Sequence, residues 1–96
     1  MRESVYQSKL IKKIEQLLPG CVVIKNDPEQ RQGLPDLLIL YSYTWAMLEV
    51  KASATSPERP NQAYYVDLFN NMSFASFIFP ENEEEVLDAL QRSLLS

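Results

Sequence analysis

Charged residues stand at the ends of two short apolar runs that a hairpin would bring together. Asp36 opens the run 36–41. Glu49 lies near the end of the run 44–50, and Lys51 directly follows that run. Because side chains alternate along a strand, Glu49 and Lys51 share a face. Neighbouring carboxylates repel unless a cation joins them, and Mg²⁺ prefers carboxylate oxygens together with substrate phosphate. The spacing therefore indicates metal-assisted chemistry on phosphate, with the lysine orienting water or stabilising developing charge.

Each part of this pattern also has a plain structural interpretation. Glu49 with Lys51 alone is equally typical of a surface ion pair at a strand end, and an acidic residue after proline is common in turns. The combination is more specific. It consists of Gly33-Leu34-Pro35-Asp36, a gap of hairpin length, and Glu-x-Lys at the end of an apolar strand.

The composition excludes most other catalytic systems. The chain has 96 residues, no histidine and one cysteine, Cys21. These absences exclude Ser-His-Asp and Cys-His nucleophiles within one chain, intrachain disulfides and zinc sites of several thiolates. The length fits one domain, residues 1–96. No apolar run reaches the roughly 18 residues that span a bilayer, and no signal peptide is evident. With a lone cysteine, we expect a cytoplasmic protein without membrane association.

The spacing of apolar residues predicts the elements that would position these groups. The segment 4–18 is predicted to be a helix that starts with a capping box at Ser4 and Gln7 and ends before Pro19-Gly20. Residues at helical spacing form its buried stripe: Tyr6, Leu10, Ile14 and Leu17. The remaining chain predicts strands over 21–24, 36–41, 44–50 and 73–79, and helices over 62–71 and after the cap Asn82. The order α-β-β-β-α-β-α predicts a single small α/β domain with a mixed sheet flanked by helices.

With these motifs in this order, the sequence resembles the PD-(D/E)xK nuclease superfamily. Pro35-Asp36 matches the PD, and Glu49-Val50-Lys51 matches the ExK. More closely, it resembles the stand-alone, phage-type VRR-NUC (virus-type replication-repair nuclease) domain. There, a glutamate on the first helix precedes the G-x-PD and E-V-K strands, and a glutamine opens the next helix; Glu3 and Gln62 match these. The resemblance covers nearly the whole chain and implies a restriction-endonuclease-like core.

The resemblance implies metal-dependent phosphodiester hydrolysis, in which water attacks in line and leaves 5′-phosphate and 3′-hydroxyl ends. It implies that Asp36, Glu49 and the backbone carbonyl of Val50 bind Mg²⁺, for which Mn²⁺ can substitute. Lys51 would be the catalytic lysine.

The resemblance assigns two further catalytic positions. Glu3 would be an outer-shell or second-metal carboxylate, with Glu15 as its rival, because the capping box puts Glu3 just before the helix. Gln62 would steady the site or touch the substrate, although a solvent-exposed residue at a helix start is nearly as good an interpretation.

Basic residues are the candidates for contact with DNA phosphate. Residues 1–59 hold eight basic and seven acidic residues, whereas residues 60–96 hold one basic and six acidic residues. The first part is therefore the one expected to face DNA, through Arg2, Lys9, Lys12, Lys13, Lys25, Arg31 and Arg59. A plain solvated face is the alternative for the first helix. The polar loop 27–33 is expected to be ordered by substrate, and recognition is expected to depend on DNA shape.

Stand-alone members of the family resemble homodimeric Holliday-junction resolvases. We therefore expect a structure-selective endonuclease for four-way junctions and a C2 dimer. The expected interface is a stripe of alternate residues whose plain alternative is core facing a helix: Tyr41, Tyr43, Trp45 and Met47. A nuclease for flaps, nicks or duplex is the enzymatic rival. A non-catalytic acidic binding module is the other class, against which the intact Asp36, Glu49 and Lys51 argue.

Overall fold

The fold follows the element order that the sequence predicts. The structure is a computed structural model that describes residues 1–27 and 29–96, so Pro28 in the predicted loop 27–33 lies outside the described residues. The elements are α1 (Glu3–Leu17), β1 (Val22–Lys25), β2 (Leu37–Tyr41), β3 (Thr44–Val50), α2 (Gln62–Met72), β4 (Phe74–Ile78) and α3 (Glu83–Leu95). A short 3₁₀ turn, Pro80–Asn82, precedes α3. The predicted single α/β domain is confirmed.

The four strands form one mixed sheet in the order β1-β2-β3-β4. The first three strands are antiparallel neighbours, and β4 runs parallel to β3. The turn Ser42-Tyr43 joins β2 to β3, and Leu37 pairs with Leu48 in the resulting register. One step further along this register, Asp36 stands opposite Glu49. The Asn26 N–H donates to the Asp36 carbonyl at 2.8 Å, which carries the pairing of β1 with β2 to the same end of the sheet.

One face of the sheet carries the core. Five side chains on this face are completely buried: Leu37, Ile39, Ala46, Leu48 and Val50. They form one cluster with the buried stripes of the first and last helices, which are Tyr6, Leu10, Ile14 and Leu18 on one side and Val86, Leu87, Leu90 and Leu94 on the other. The predicted burial of Tyr6, Leu10 and Ile14 is confirmed. Leu18 completes that stripe in place of Leu17, which is only partly buried.

The opposite face of the sheet is only partly covered. Helix α2 packs there, and the Phe69 ring meets Trp45 edge-on with 6.1 Å between centroids. Cross-strand pairs place six apolar residues on this face, which we call the open sheet face: Val22, Ile24, Leu38, Leu40, Trp45 and Met47. Val22 is 53% exposed, Ile24 41% and Leu40 39%, so water reaches the part that lies beyond α2.

The predicted stripe from Tyr41 to Met47 is wrong at its first residue. Tyr41 packs against the core on the other face, because the turn at Ser42 and Tyr43 interrupts the strand alternation. Tyr43 is fully exposed at the turn. Only Trp45 and Met47 of the predicted stripe lie on the open sheet face.

Two helix starts differ from the prediction. Helix α1 begins at Glu3 after Arg2, with no side-chain cap, so Ser4 lies inside the helix and the predicted capping box is wrong. The Asn82 side chain does not cap α3; it accepts from the Phe79 N–H and donates to the Phe77 carbonyl. These bonds bind the end of β4 to the 3₁₀ turn.

A polar contact holds α1 against α3. The Tyr6 hydroxyl donates to Glu83 Oε1 at 2.8 Å, and Lys13 forms an ion pair with Glu83. Burial opposes ionisation of Glu83, but the two donors outweigh it and hold the pKa of Glu83 below its ordinary value. The contact fixes the orientation of α1, whose first residue is Glu3. No helix among the described residues is long and apolar enough to cross a membrane.

Candidate active site

A pocket of about 240 Å³ opens at the end of the sheet where β2 begins and β3 ends. All five side chains that the sequence predicts to be catalytic line it: Glu3, Asp36, Glu49, Lys51 and Gln62. They come from the starts of α1, β2 and α2 and from the end of β3. The pocket lies on the same side of the sheet as the open sheet face, because Asp36 and Glu49 alternate in phase with Leu38 and Met47.

The hairpin register brings the two carboxylates together. Asp36 is half-buried and Oδ2 accepts a hydrogen bond from the Val50 N–H at 2.8 Å. Glu49 is only 2% exposed. The bond from Val50 fixes the Asp36 carboxylate across the end of β3, next to Glu49. Pro35 is buried and its carbonyl accepts from the Asn26 side chain at 2.9 Å, which holds the entry to β2 in place.

Gln62 connects Glu49 with Lys51. Its Nε2 donates to Glu49 Oε2 at 2.9 Å, and its Oε1 accepts from Lys51 Nζ at 2.7 Å and from the Arg59 N–H at 2.8 Å. The side chain is buried, and it joins the end of β3, which carries Glu49 and Lys51, to the loop that carries Arg59. Gln62 therefore has the geometry of a positioning residue, rather than that of the solvent-exposed helix start considered from the sequence.

Lys51 is held at three points. Besides Gln62, its Nζ donates to the Pro57 carbonyl at 3.1 Å and lies 3.8 Å from Glu49 Oε2. The residue is 7% exposed, so its ammonium group has little freedom. The interpretation of Glu49 and Lys51 as a surface ion pair does not fit, because both side chains are buried.

Burial strongly perturbs Glu49. Removal from water and the charge of Asp36 raise the pKa of Glu49 to about 8, against the opposing effect of Lys51. The charge of Glu3 acts in the same direction as Asp36. Acids with a pKa perturbed in this way are concentrated at functional sites.

The donor atoms fit a hard divalent cation. Glu49 Oε1 is buried and, among the described residues, has no hydrogen-bond partner. Asp36 and Glu49 supply only oxygen atoms, and a carboxylate pair with phosphate and water is the usual environment of Mg²⁺ in proteins. No group of three or more His, Cys, Asp and Glu side chains within residues 1–27 and 29–96 is arranged to hold a metal ion.

The position of Glu3 distinguishes it from Glu15. Glu3 is the first residue of α1 and lines the pocket. Glu15 lies near the other end of the helix, where burial of the thiol and, to a smaller extent, the charge of Glu15 raise the pKa of Cys21. Glu3 is exposed and reaches the pocket from its rim.

The seven basic candidates do not form one cluster. Arg59 lines the pocket, and Arg31 on the loop before β2 donates to the Tyr65 hydroxyl at 3.4 Å. Lys25 ends β1 at the same end of the sheet, and Arg2 directly precedes α1. Lys9 and Lys12 are exposed on α1. Lys13 differs from the others because it is engaged with Glu83 of α3.

Sequence reasoning missed the backbone groups that surround Lys51. The Pro57 carbonyl and the Arg59 N–H come from the loop between β3 and α2, which carries no motif for such contacts. Gln32 also lines the pocket from the loop before β2. These groups depend on loop conformation, and their residue types give no signal for it.

Glu49→Gln is expected to remove a pH-dependent loss of stability. Glu49 binds its proton more tightly in the folded chain than in the unfolded chain, in which its pKa is about 4.3. Proton binding at Glu49 therefore stabilises the folded chain below the unfolded pKa, and this stabilisation is lost as the pH rises towards about 8. In metal-free buffer, urea unfolding should show the variant gaining on the wild type by on the order of 2 kcal/mol between pH 4.5 and 8.5.

Glu84→Gln is the matched control, since Glu84 is exposed on α3. Its difference from the wild type should stay within about 0.5 kcal/mol across this range. If the difference in unfolding free energy between Glu49→Gln and the wild type is equally independent of pH, burial does not destabilise the ionised carboxylate.

Comparison with known proteins gives a consistent result. No protein-family model and no curated protein matches the sequence. Among solved structures, a chain described as "VRR_NUC domain" matches with a TM-score of 0.68 and 25% identity, covering 94% of each chain. A "VRR_NUC domain protein" matches with a TM-score of 0.72 and 15% identity, covering 99% of this chain and 89% of the other. The resemblance predicted from the motifs is confirmed: the chain matches VRR_NUC domain proteins in structure over nearly its whole length.

Proposed function

We propose that the protein is a metal-dependent endodeoxyribonuclease of the PD-(D/E)xK type. The match to VRR_NUC domain proteins implies a nuclease of this type. The observation that carries the proposal for this chain is a buried pair of carboxylates with one unpartnered oxygen, Glu49 Oε1, beside an immobilised lysine. A non-catalytic module has no use for the destabilising burial of Glu49.

Asp36, Glu49 and the Val50 carbonyl are the proposed ligands of Mg²⁺ or Mn²⁺. When bound, such a cation neutralises charge on the scissile phosphate and acidifies a water molecule. Asp36 is suited to this role because the Val50 N–H binds Oδ2 and leaves Oδ1 outside this hydrogen bond. Glu49 is suited because Gln62 holds Oε2 and leaves Oε1 without a partner among the described residues.

Lys51 is the proposed catalytic lysine. Its ammonium lies 3.8 Å from Glu49, close enough to orient a water for in-line attack or to stabilise charge on the phosphate oxygens. Gln62 positions it by accepting one of its protons. Glu3 at the rim is proposed to act as an outer carboxylate or to support a second cation. The products are a 5′-phosphate and a 3′-hydroxyl.

DNA is proposed to approach from the side of the pocket where the basic loops lie. Arg59 and Arg31 flank the opening, and Lys25 and Arg2 lie at the same end of the fold. Lys9 and Lys12 are exposed on α1 and are proposed as further phosphate contacts, whereas Lys13 is already paired with Glu83. Contacts of this kind bind phosphate irrespective of sequence, so selectivity is proposed to come from DNA shape.

Asp36→Asn and Lys51→Ala should each lower the cleavage rate by about 10³-fold or more, because each removes a charge from the reacting centre. Asp36→Asn retains an oxygen that can accept from Val50, so the fold should survive. Cleavage of labelled DNA in Mg²⁺, with circular dichroism to check folding, measures the effect.

Asp88→Asn and Arg92→Ala on α3 are the matched controls for these changes and should cleave at nearly the wild-type rate. A folded Asp36→Asn or Lys51→Ala protein with a normal rate would exclude the proposed site.

Four-way DNA junctions are the proposed substrate class, cut by a C2 dimer. The support is the open sheet face, on which Val22, Ile24 and Leu40 remain exposed. Exposed apolar patches of this kind are typical of interfaces. A twofold axis through this face would give the dimer two equivalent pockets, as symmetrical cutting of opposed strands requires.

A panel of substrates tests the junction assignment. At equal DNA concentration, kcat/KM on a four-way junction should exceed that on a flap, a nicked duplex and linear duplex by about tenfold or more. Equal or faster cutting of flap or linear duplex would favour the restriction-type alternative.

Leu40→Lys tests the dimer. A charge in the middle of the open sheet face should weaken self-association by at least about tenfold, because it would be buried without a partner. Sedimentation velocity at micromolar concentration measures this, with Leu95→Lys on α3 as the control. If the wild type sediments as a monomer at the concentration at which it cuts junctions, the proposed dimer is wrong.

A further inference from the structure

The loop before β2 touches the start of α2 at a position where only glycine fits. Gly33 has φ +90°, and a Cβ built there would lie 2.7 Å from Asn61 Cβ, 2.8 Å from its carbonyl carbon and 3.0 Å from its carbonyl oxygen. Asn61 also has a positive φ, 71°. Most of these contacts are to backbone, which a rotamer change cannot relieve.

This contact joins two of the chain segments that build the site. Gly33 lies three residues before Asp36, in a turn closed by the Leu34 N–H and the Arg31 carbonyl at 3.1 Å. Asn61 directly precedes Gln62, and its carbonyl accepts from the Tyr65 N–H at 3.1 Å in the first turn of α2. A shift of Asn61 therefore moves the first turn of α2 and, with it, the Gln62 side chain.

We propose that Gly33 is a positioning residue that sets the place of Gln62, and through it the separation of Glu49 and Lys51. Its missing side chain lets the loop lie directly against Asn61. The inference rests on the proposed nuclease function for its kinetic consequence, but its structural part concerns Gln62 alone.

The size of the expected effect follows from the contact distance. An added methyl group at 2.7 Å must retreat by about 0.7 Å to reach ordinary van der Waals separation. Displacements of about 1 Å at a catalytic centre can cost about 10²-fold in rate. Gly33→Ala should therefore lower kcat by about tenfold or more and change KM by less than about threefold, since the basic DNA contacts remain.

Gly20 provides the matched control. It has nearly the same φ, +92°, but a Cβ there would meet nothing within 4 Å. Gly20→Ala carries the same backbone strain as Gly33→Ala without the contact. We expect both variants to lose thermal stability, but only Gly33→Ala to lose kcat. That result would distinguish a positioning role of Gly33 from the effect of backbone strain. Equal kcat in the two variants would overturn the inference.

A second measurement does not depend on DNA cleavage. The Gln62 side-chain amide protons, assigned by NMR through Gln62→Ala, should shift in Gly33→Ala and stay unchanged in Gly20→Ala. An unshifted Gln62 amide in Gly33→Ala overturns the inference, whatever the kinetics. If the wild type cleaves no DNA, the proposed function fails, and the amide comparison still decides whether Gly33 positions Gln62.

Two double variants complete the test. In a Gln62→Ala background, Gly33→Ala should reduce kcat further by less than about twofold, because both act through the same side chain. Adding Asn61→Gly to Gly33→Ala removes the Cβ at 2.7 Å and should restore part of kcat and the amide position. If Gly33→Ala does not fold, this double variant replaces it. Failure of both to fold would make Gly33 a folding residue and overturn the inference.

Discussion

The site depends on holding one ionisable carboxylate, Glu49, out of water beside another, Asp36. Burial alone would drive Glu49 to its neutral form, as its raised pKa of about 8 indicates. The surrounding groups are those that limit this cost: the Val50 N–H on Asp36, the Gln62 amide on Glu49 and the Lys51 ammonium 3.8 Å from Glu49. One oxygen, Glu49 Oε1, is left without a partner among the described residues. In the proposed function Asp36 and Glu49 would hold a divalent cation, whose charge would favour the ionised form of Glu49.

The two faces of the sheet have different roles. One face is a dry apolar layer against α1 and α3, which makes the strands rigid. The other carries the carboxylate pair at one end and apolar side chains along the rest. Because both sets alternate with the same period, the register that points Glu49 into the pocket also exposes Leu40 to solvent. Helices α1 and α3 cover the first face, whereas α2 covers only part of the second.

Helix α2 joins these features. Its first residue, Gln62, binds both charged groups of the Glu-x-Lys strand, and its body covers β3 through Phe69 and Trp45. The start of α2 is fixed from outside by Gly33 rather than by a side-chain cap, since Asn61 makes no cap hydrogen bond. The sheet therefore sets the positions of the two carboxylates, and a loop contact sets the position of the Gln62 amide between Glu49 and Lys51.

Residue types and local spacing were sufficient for the element order, the hairpin of β2 and β3 and the meeting of Asp36 with Glu49. These follow from strand alternation and short turns, which act between neighbours in the chain. Tertiary structure alone decided the rest. It placed Tyr41 in the core, paired Lys13 with Glu83 and gave Lys51 the carbonyl of Pro57. It also put Glu3 on α1 without a capping box. Such contacts depend on how loops and helices settle against the sheet, and the free energy that fixes them comes from packing between segments that the local pattern does not relate.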